Sequence, residues 1–297
     1  MNVLSLFDGI SCARIALENL GVEVEEYFSS EVDKNCVDLS QLRFPNNIIL
    51  GDVRNISKKR LPKIDLVIGG SPCQDISNAF KGDGLAGSRS SLFFEYVRIL
   101  KELKPSYFLL ENVRSAHQSL MDNEIGVKGI ELNSAKFSAQ SRPRCYWTNL
   151  QIVDEPKAPS SAVISDILEK NPEEYYFLDG KVSEGTIPEL LSESKVRSNK
   201  IVRLGMIDRE LLRDNERQRR VYSIYGKSPT LLARSDSPKI IQDGRIRKLT
   251  PLECERLQSI PDNFTEGFSR TNRYKMVGNG FTVSVISHIL EPLRTKN

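Results

Sequence analysis

Alternating strand and helix patterns in the first half of the chain limit the folds that it can adopt. Short apolar runs bounded by turn residues predict five strands, at residues 2–7, 23–29, 47–50, 64–68 and 107–110. Amphipathic stretches predict helices in the same half, and the longest covers residues 90–103. Strands that alternate with helices pair in parallel through right-handed crossovers, so we predict an α/β fold with a doubly wound, mostly parallel sheet.

Residues with functional side chains follow these strands at the point where each strand ends. They are Asp8, Glu31, Asp52, Cys73 and Glu111. Because ligands of such sheets bind outside the carboxyl ends of the strands, this placement predicts a single site at that edge.

The first three strand ends suit an adenosine-containing cofactor. Gly9 lets a ligand approach the backbone, Glu31 is placed to bind a ribose diol, and Asp52 can accept from an adenine amino group. The chain has no GxGxxG pattern at this point, which disfavours a dinucleotide. The alternative is that these are ordinary turn and capping residues.

The next two strand ends suit covalent chemistry on an electron-poor ring. Cys73 follows a run of turn formers past its strand, where a thiol can be exposed and nearby basic groups can lower its pKa. Glu111 ends the next strand, so its carboxyl group would share the crevice and could protonate a ring nitrogen. The alternative for Glu111 is a carboxylate that caps the following turn.

Two arginines precede a further apolar strand at residues 145–150. Alternation along an extended chain places Arg142 and Arg144 on the same face, where two guanidinium groups can hold an anion or a carbonyl oxygen. A pair of surface arginines is the alternative.

Regular alternation stops near residue 150, and the charge of the chain then changes. Four prolines between residues 156 and 188 favour a smaller β-rich or irregular domain, and helical spacing returns at residues 250–260 and 283–293. Residues 195–275 contain 19 lysines and arginines against 10 acids, although the whole chain carries only +3. This segment is either a solvated face or a module that binds a polyanion.

The cysteine and histidine content excludes several classes of protein. The five cysteines are scattered without a CxxC pair, and there are only two histidines. A disulfide framework and a metal site are therefore disfavoured, and a reducing cytoplasm fits.

No run approaches the ~20 apolar residues that cross a bilayer, and Asp8 comes too early for a signal peptide. We expect neither a membrane protein nor a secreted one.

The order of these motifs along the chain resembles the DNA (cytosine-5) methyltransferases. The subfamily with eukaryotic de novo methyltransferases and related phage or bacterial enzymes is the most similar, through Phe-Asp-Gly at residues 7–9 and Ser-Ala-Lys-Phe-Ser-Ala at residues 134–139. The matching motifs are Phe7-Asp8-Gly9, Glu31, Gly51-Asp52-Val53, Pro72-Cys73-Gln74, Ser91-Leu92-Phe93-Phe94, Glu111-Asn112-Val113, Gln140-x-Arg142-x-Arg144, Arg247-Lys248-Leu249-Thr250-Pro251-x-Glu253-Cys254 and Gly278-Asn279-Gly280.

The resemblance implies a fold, a domain division and a set of roles. The fold would be the Rossmann-like sheet of S-adenosyl-L-methionine-dependent methyltransferases with a smaller target-recognition domain. Residues 1–150 would form the catalytic and cofactor-binding domain, 151–245 the target-recognition region, and 246–297 a segment that returns to the catalytic domain. Cys73 would attack carbon 6 of cytosine, Glu111 would hold nitrogen 3, and Arg144, with help from Arg142, would contact the base carbonyl. The S-adenosyl-L-methionine pocket would be lined by Phe7, Asp8, Gly9, Ile10, Glu31, Asp52, Val53, Pro72, Leu92 and Asn279.

The substrate implied is a cytosine flipped out of double-stranded DNA in a bacterial or phage-infected cell, in the cytoplasm at the nucleoid, with a partner restriction endonuclease as one option. Three other functions remain open at this point. A tRNA cytosine-5 methyltransferase of the same family would share the motifs, and methyl-transfer assays on both nucleic acids separate the two. An inactive DNA-binding regulator would be expected to lack Cys73, Glu111 or Arg144. A nicotinamide-dependent oxidoreductase on the same sheet would bind nicotinamide.

Overall fold

The computed structural model describes most of the chain and divides it into two compact units. The described residues are 1–72, 91–115, 117–151, 156–178, 196–207, 209–210, 212–234 and 236–294. The first unit is Met1–Leu132, Pro143–Glu155 and Val285–Asn297, and the second is Asn133–Arg142 and Pro156–Ser284.

The first unit is built on a sheet of seven strands within the described residues, in the order β3-β2-β1-β4-β5-β7-β6. The strands are β1 (Asn2–Leu6), β2 (Glu26–Ser30), β3 (Ile48–Ile49), β4 (Leu66–Gly70), β5 (Tyr107–Asn112), β6 (Ile130–Asn133) and β7 (Pro143–Thr148). The first five pair in parallel, and β7 runs antiparallel to β5. This is the doubly wound, mostly parallel sheet that the sequence predicts.

The helices of this unit connect or flank the strands. They are α1 (Cys12–Asn19), α2 (Lys34–Arg43), α3 (Ser91–Leu103), α4 (Gln118–Ile125) and, beginning two residues before the chain returns to this unit, α8 (Val283–Leu290). The apolar side of α3 packs on the sheet through Phe93, Tyr96 and Val97 in the main core cluster. Burial on both faces explains why the central strands read as continuous apolar runs.

The order of the strands sets where a ligand can bind. Strand β1 lies between β2 and β4, so the chain leaves the carboxyl ends of β1 and β4 toward opposite sides and opens a crevice there. Gly69 in β4 is required by close packing, because a Cβ at this position would lie 2.7 Å from the Leu6 carbonyl oxygen.

The second unit contains a sheet of four strands within the described residues, in the order β11-β10-β9-β8. Its strands are β8 (Arg203–Met206), β9 (Arg220–Ser223), β10 (Lys239–Gln242) and β11 (Arg245–Lys248), and its helices are α5 (Glu216–Arg219), α6 (Pro251–Leu257) and α7 (Arg270–Asn279). The β10–β11 hairpin turns through Asp243 and Gly244, which both have positive φ. Short 3₁₀ turns in the two units are Val53–Asn55, Lys58–Arg60, Ser134–Lys136, Ile164–Asp166, Glu174–Tyr176 and Glu291–Leu293.

The bounds of the compact units differ from those of the predicted domains. The second unit also takes in Asn133–Arg142, and the chain returns to the first unit only at Val285, well after the predicted residue 246. The reason is that β11 pairs with β10, and its Arg247 bonds both to Gln242 of β10 and to Glu253 of α6. The roles assigned to the domains stay predictions. None of the helices in the described part of the chain is long and apolar enough to cross a membrane.

Candidate functional site

The loop after β1 is held in an unusual backbone conformation. Phe7, Gly9 and Ser11 have φ values of 56°, 58° and 59°. Such values suit Gly9 but cost a residue with a side chain about 1–3 kcal/mol. Apart from Gly9 itself and its two chain neighbours, no residue has an atom within 4 Å of where a Cβ of Gly9 would stand, so the backbone is open to a ligand at this point.

Asp8 lies in that loop with its side chain directed into the protein. Only 5% of the residue is exposed. Ser5 and Tyr27 donate hydrogen bonds to Oδ1, Tyr27 at 2.7 Å, and Ser11 and Ser29 donate to Oδ2 at 2.7 and 2.8 Å. Burial raises the pKa of Asp8, and the four hydroxyl donors oppose that rise without cancelling it.

Glu31 follows β2 and joins its loop to the loop after β1. One carboxylate oxygen accepts from the Gly9 backbone N–H at 2.8 Å, and the other accepts from the N–H groups of Val32 and Asp33 at 2.7 and 2.8 Å. The residue remains half-buried, so its oxygens can also accept from the hydroxyl groups of a ligand.

Asp52 follows β3 and begins the 3₁₀ turn Val53–Asn55. Its Oδ1 accepts from the Arg54 backbone N–H at 2.9 Å, and the Arg54 side chain pairs with the carboxylate. Hydrogen bonds from Arg54 hold the pKa of Asp52 below its ordinary value. Asp52 is therefore an ionised acceptor at the same edge of the sheet as Glu31.

The apolar residues predicted for the cofactor pocket differ in their exposure. Val53 and Ile10 are buried, Phe7 and Leu92 are half-buried, and Pro72 is exposed. Phe7 and Leu92 pack against the main core cluster of the first unit.

Cys73 lies outside the described residues, but the segment that leads into it is held firmly. The Asn112 side-chain amide donates to Ser71 Oγ at 2.8 Å and to the Ser71 carbonyl oxygen at 3.3 Å, while its Oδ1 accepts from the Val113 N–H at 2.7 Å. Ser71 and Asn112 are both buried. The end of β5 thus fixes the position from which the chain enters Pro72 and Cys73.

Glu111 and Arg144 form an ion pair beside this segment. The pairing of Gly70 with Glu111 places the glutamate opposite the end of β4. Arg144 Nε lies 2.9 Å from Glu111 Oε1, and the two side chains are only 14% and 12% exposed. The site therefore has a largely desolvated carboxylate paired with a positive charge.

Arg142 has other partners. Strand β7 begins at Pro143, so Arg144 lies in the strand and Arg142 directly before it. Within the second unit, the buried Arg142 guanidinium donates to the carbonyl oxygens of Leu231, Gly278 and Gly280 at 3.2–3.3 Å. The two arginines have different partners, since three backbone carbonyls bind Arg142 and Glu111 pairs with Arg144. Their placement on one face stays a prediction. A catalytic role for Arg142 stays a prediction.

Asn279 is the exposed last residue of α7 in the second unit. Gln258 donates to the carbonyl oxygen of Gly280 at 3.1 Å, so Gln258 and Arg142 fix the backbone next to Asn279 from two directions. A Cβ on Gly278 would lie 2.2 Å from the Leu232 carbonyl oxygen, which requires a glycine there.

The arginines of the basic segment fall into two groups. Arg219 donates to the Ile207 carbonyl oxygen at 2.8 Å, and Arg220 pairs with Glu216 at 2.8 Å. Arg217 is exposed on the same short helix, α5. An open cleft of the second unit is lined by Arg209, Glu210, Arg213, Asp214, Asn215, Glu216 and Arg219.

Sequence reasoning missed the side chains that support the predicted residues. Ser5, Asp8 and Ser11 are spaced three residues apart, and this spacing is the one sequence signal that could have linked the two serines to Asp8. The hydroxyls of Tyr27 and Ser29 and the amide of Asn112 reach their partners only through the fold. Within the described residues, no group of three or more metal-ligating side chains could hold a metal ion.

Comparison with known proteins decides the family. A model of the family described as "C-5 cytosine-specific DNA methylase" matches residues 1–142 and 131–295. The chain belongs to this family. The family, the fold and the predicted class of enzyme, a DNA (cytosine-5) methyltransferase, are thereby confirmed.

Similar proteins cover nearly the whole chain. The type II methyltransferase M.NlaX of Neisseria lactamica is 30% identical over 98% of this chain and 96% of its own. The type II methyltransferase M.HhaI of Haemophilus parahaemolyticus is 28% identical over 97% and 93%. The orphan methyltransferase M.SPRI of Bacillus phage SPR is 27% identical over 99% and 97%.

Solved structures share the fold at lower identity. The Entamoeba histolytica methyltransferase EhMeth superposes with a TM-score of 0.68 at 16% identity, covering 99% of this chain and 97% of its own. The Dnmt2 methyltransferase of S. pombe superposes with a TM-score of 0.66 at 16% identity, covering 99% and 98%.

Proposed function

We propose that this DNA (cytosine-5) methyltransferase uses S-adenosyl-L-methionine as methyl donor and Cys73 as a covalent nucleophile on a cytosine flipped out of double-stranded DNA. The observation that carries the proposal is the Glu111–Arg144 pair at 2.9 Å beside the end of β4, where the chain leads into Pro72-Cys73. A thiolate, a carboxyl group and a guanidinium group are the set that addition to a cytosine ring needs.

The residues present fit the cofactor. Glu31 and Asp52 are partly exposed carboxylates at the ends of neighbouring strands, suited to ribose hydroxyls and an adenine amino group. Gly9 offers an open backbone beside them. When bound, S-adenosyl-L-methionine supplies an electrophilic methyl group. Asn279 and Pro72 complete the set predicted to hold it.

The protein side chains make cytosine reactive. The Cys73 thiolate adds to carbon 6 while Glu111, in its protonated form, donates a proton to ring nitrogen 3, and the electrons of the 5,6 double bond then make carbon 5 nucleophilic. After methylation, a base takes the carbon 5 proton, the electrons of that bond restore the 5,6 double bond as the Cys73 sulfur leaves carbon 6 as thiolate, and the proton on nitrogen 3 returns to Glu111. Arg144 holds Glu111 in place and can donate to the base carbonyl oxygen.

The base must leave the duplex for this chemistry, at a cost of a few kcal/mol. We assign contacts with DNA phosphates to the basic segment of the second unit, through exposed arginines such as Arg217. The place of action would be the cytoplasm of a bacterial or phage-infected cell, at the nucleoid. A partner restriction endonuclease stays a prediction.

The test is methyl transfer from labelled S-adenosyl-L-methionine to duplex DNA and, in parallel, to tRNA. We expect label in DNA only, and Cys73→Ser should abolish it because a hydroxyl group is a poor nucleophile at neutral pH. Cys36→Ser, which changes a buried cysteine of α2, serves as the matched control.

Three results would contradict the proposal. Transfer to tRNA alone would assign an RNA substrate. No transfer by a folded wild-type protein that binds DNA would indicate an inactive regulator. Near-normal transfer by Cys73→Ser would show that another group is the nucleophile. If methyl transfer to DNA is found, bisulfite sequencing of DNA from expressing cells would identify the methylated sequence.

A further inference from the structure

The carboxylate of Asp8 is fully engaged inside the protein. Two hydroxyl groups donate to each of its oxygens, from Ser5 and Tyr27 on one and from Ser11 and Ser29 on the other. A buried carboxylate is tolerated only when donors surround it in this way. A ligand could bind this side chain only by displacing a hydroxyl group.

The donors come from the elements that form the floor of the crevice. Ser5 lies in β1, and Tyr27 and Ser29 lie in β2. The Ser11 hydroxyl lies 2.8 Å from that of Ser40 in α2, and Asn47 donates to both, so the network extends to the residues before β3. One buried polar cluster therefore joins the three strands whose ends are predicted to bind the cofactor.

The strained loop depends on the same residue. Phe7 and Ser11 have positive φ, which costs free energy unless surrounding contacts impose it. Asp8 binds Ser11 twice, through its carboxylate and through its carbonyl oxygen, which accepts the Ser11 N–H at 3.1 Å. The loop so shaped turns the Gly9 N–H toward Glu31 at 2.8 Å.

We propose that Asp8 is a positioning residue and not a ligand of the cofactor: by binding the hydroxyls of Ser5, Ser11, Tyr27 and Ser29, it holds the loop that orients Gly9 and Glu31 toward S-adenosyl-L-methionine. The inference rests on the proposed use of that cofactor. It separates Asp8 from Glu31 and Asp52, whose carboxylates stay partly open.

The test measures the dissociation constant for S-adenosyl-L-methionine by calorimetry in the full chain, at a temperature where circular dichroism shows every variant to be folded. Asp8→Asn should weaken binding about tenfold. Tyr27→Phe and Ser29→Ala should each weaken it several-fold, although neither hydroxyl would touch the cofactor. Tyr96→Phe is the matched control, because it removes a fully buried hydroxyl that lies 3.5 Å from the Val67 carbonyl oxygen, away from the loop. It should stay within about twofold of wild type.

Two other outcomes overturn the inference. Weaker binding by Asp8→Asn with normal binding by Tyr27→Phe and Ser29→Ala would make Asp8 a direct ligand. Lower melting temperatures with unchanged affinity in all three would leave Asp8 a purely structural role. If Asp8→Asn does not fold, the affinities of Tyr27→Phe and Ser29→Ala test the inference: weaker binding supports it, and normal binding overturns it. If the folded wild-type protein does not bind S-adenosyl-L-methionine, the proposed cofactor is refuted. The wild-type measurement therefore distinguishes failure of the proposed function from failure of the role of Asp8.

Discussion

Replacement of Asn112 by alanine tests whether the end of β5 positions the proposed nucleophile, Cys73. The change removes the amide that donates to Ser71 Oγ at 2.8 Å and the oxygen that accepts the Val113 N–H at 2.7 Å. A buried hydrogen bond contributes about 1 kcal/mol, and a buried group left without a partner costs more. We therefore expect the free energy of unfolding to fall by about 2–3 kcal/mol. Ser71→Ala keeps the 3.3 Å bond to its carbonyl oxygen and should cost about 1 kcal/mol.

The effect on the reaction should be larger than the effect on cofactor binding. Ser71 is two residues before Cys73, and a displacement of about 1 Å of a reacting group can cost ~100-fold in rate. We expect kcat of Asn112→Ala to fall at least about tenfold, with the dissociation constant for S-adenosyl-L-methionine nearly unchanged. Single-turnover methyl transfer at saturating DNA and cofactor measures the first, and calorimetry measures the second.

Two comparisons make this prediction specific. Asn149→Ala is the matched control, because Asn149 bonds the backbone of Ser106 and Phe108 at the opposite end of β5. The double variant Ser71→Ala, Asn112→Ala should show a coupling of about 0.5–1.5 kcal/mol in stability. An equal loss of kcat in Asn149→Ala, or unchanged kcat in a folded Asn112→Ala, would refute the reasoning.

Four further predictions test the site and its supports. Glu31→Ala and Asp52→Ala should each weaken S-adenosyl-L-methionine binding by about 1–3 kcal/mol, and unchanged calorimetric affinity in both would exclude the assigned pocket. Arg247→Met should lower the free energy of unfolding in urea by about 3–5 kcal/mol, because it leaves the fully buried Glu253 without its cation; a loss below about 1 kcal/mol would contradict this. Arg217→Ala should make the slope of log affinity for DNA against log salt concentration shallower by about 0.9. Arg219→Ala should leave that slope unchanged, because the guanidinium of Arg219 donates to the Ile207 carbonyl oxygen. Equal slopes in the two variants would show that Arg217 is only a solvated residue. Hydrogen bonds from Arg197 lower the pKa of Asp166. This ion pair therefore stabilises the fold fully above the ordinary aspartate pKa of about 3.9, and the stabilisation is lost as pH falls through the lowered pKa. Asp166→Asn should reduce the melting temperature at pH 7 and match wild type at strongly acid pH.

Much of the first unit could be predicted because its signals are local. The apolar runs that become β1, β4 and β5 are buried on both faces, and the acids beyond the strand ends stand next to turn formers. The predicted bounds differ by up to three residues where pairing with a neighbouring strand decides the ends, as at Glu111, which lies inside β5 because it pairs with Gly70.

The second unit was harder to predict because distant residues build it. Strand β9 pairs with β10 in parallel, although 15 residues separate Ser223 from Lys239. The fully buried Arg247 binds Gln242 and Glu253, which ties a predicted catalytic-domain segment to the smaller sheet. A buried arginine of this kind looks like any surface arginine in the sequence.

The amino-acid sequence by itself determined the class of fold and the family, and it supplied the prediction of which residues carry the chemistry, because strand periodicity and motif order are properties of neighbouring residues. Only the tertiary structure decided what each polar group does. It turned Asp8 inward among four hydroxyls, paired Arg144 with Glu111 and set Arg142 among three carbonyls. The physical reason is that a buried charge must find its partners wherever the packed chain brings them, and spacing along the sequence does not carry that information.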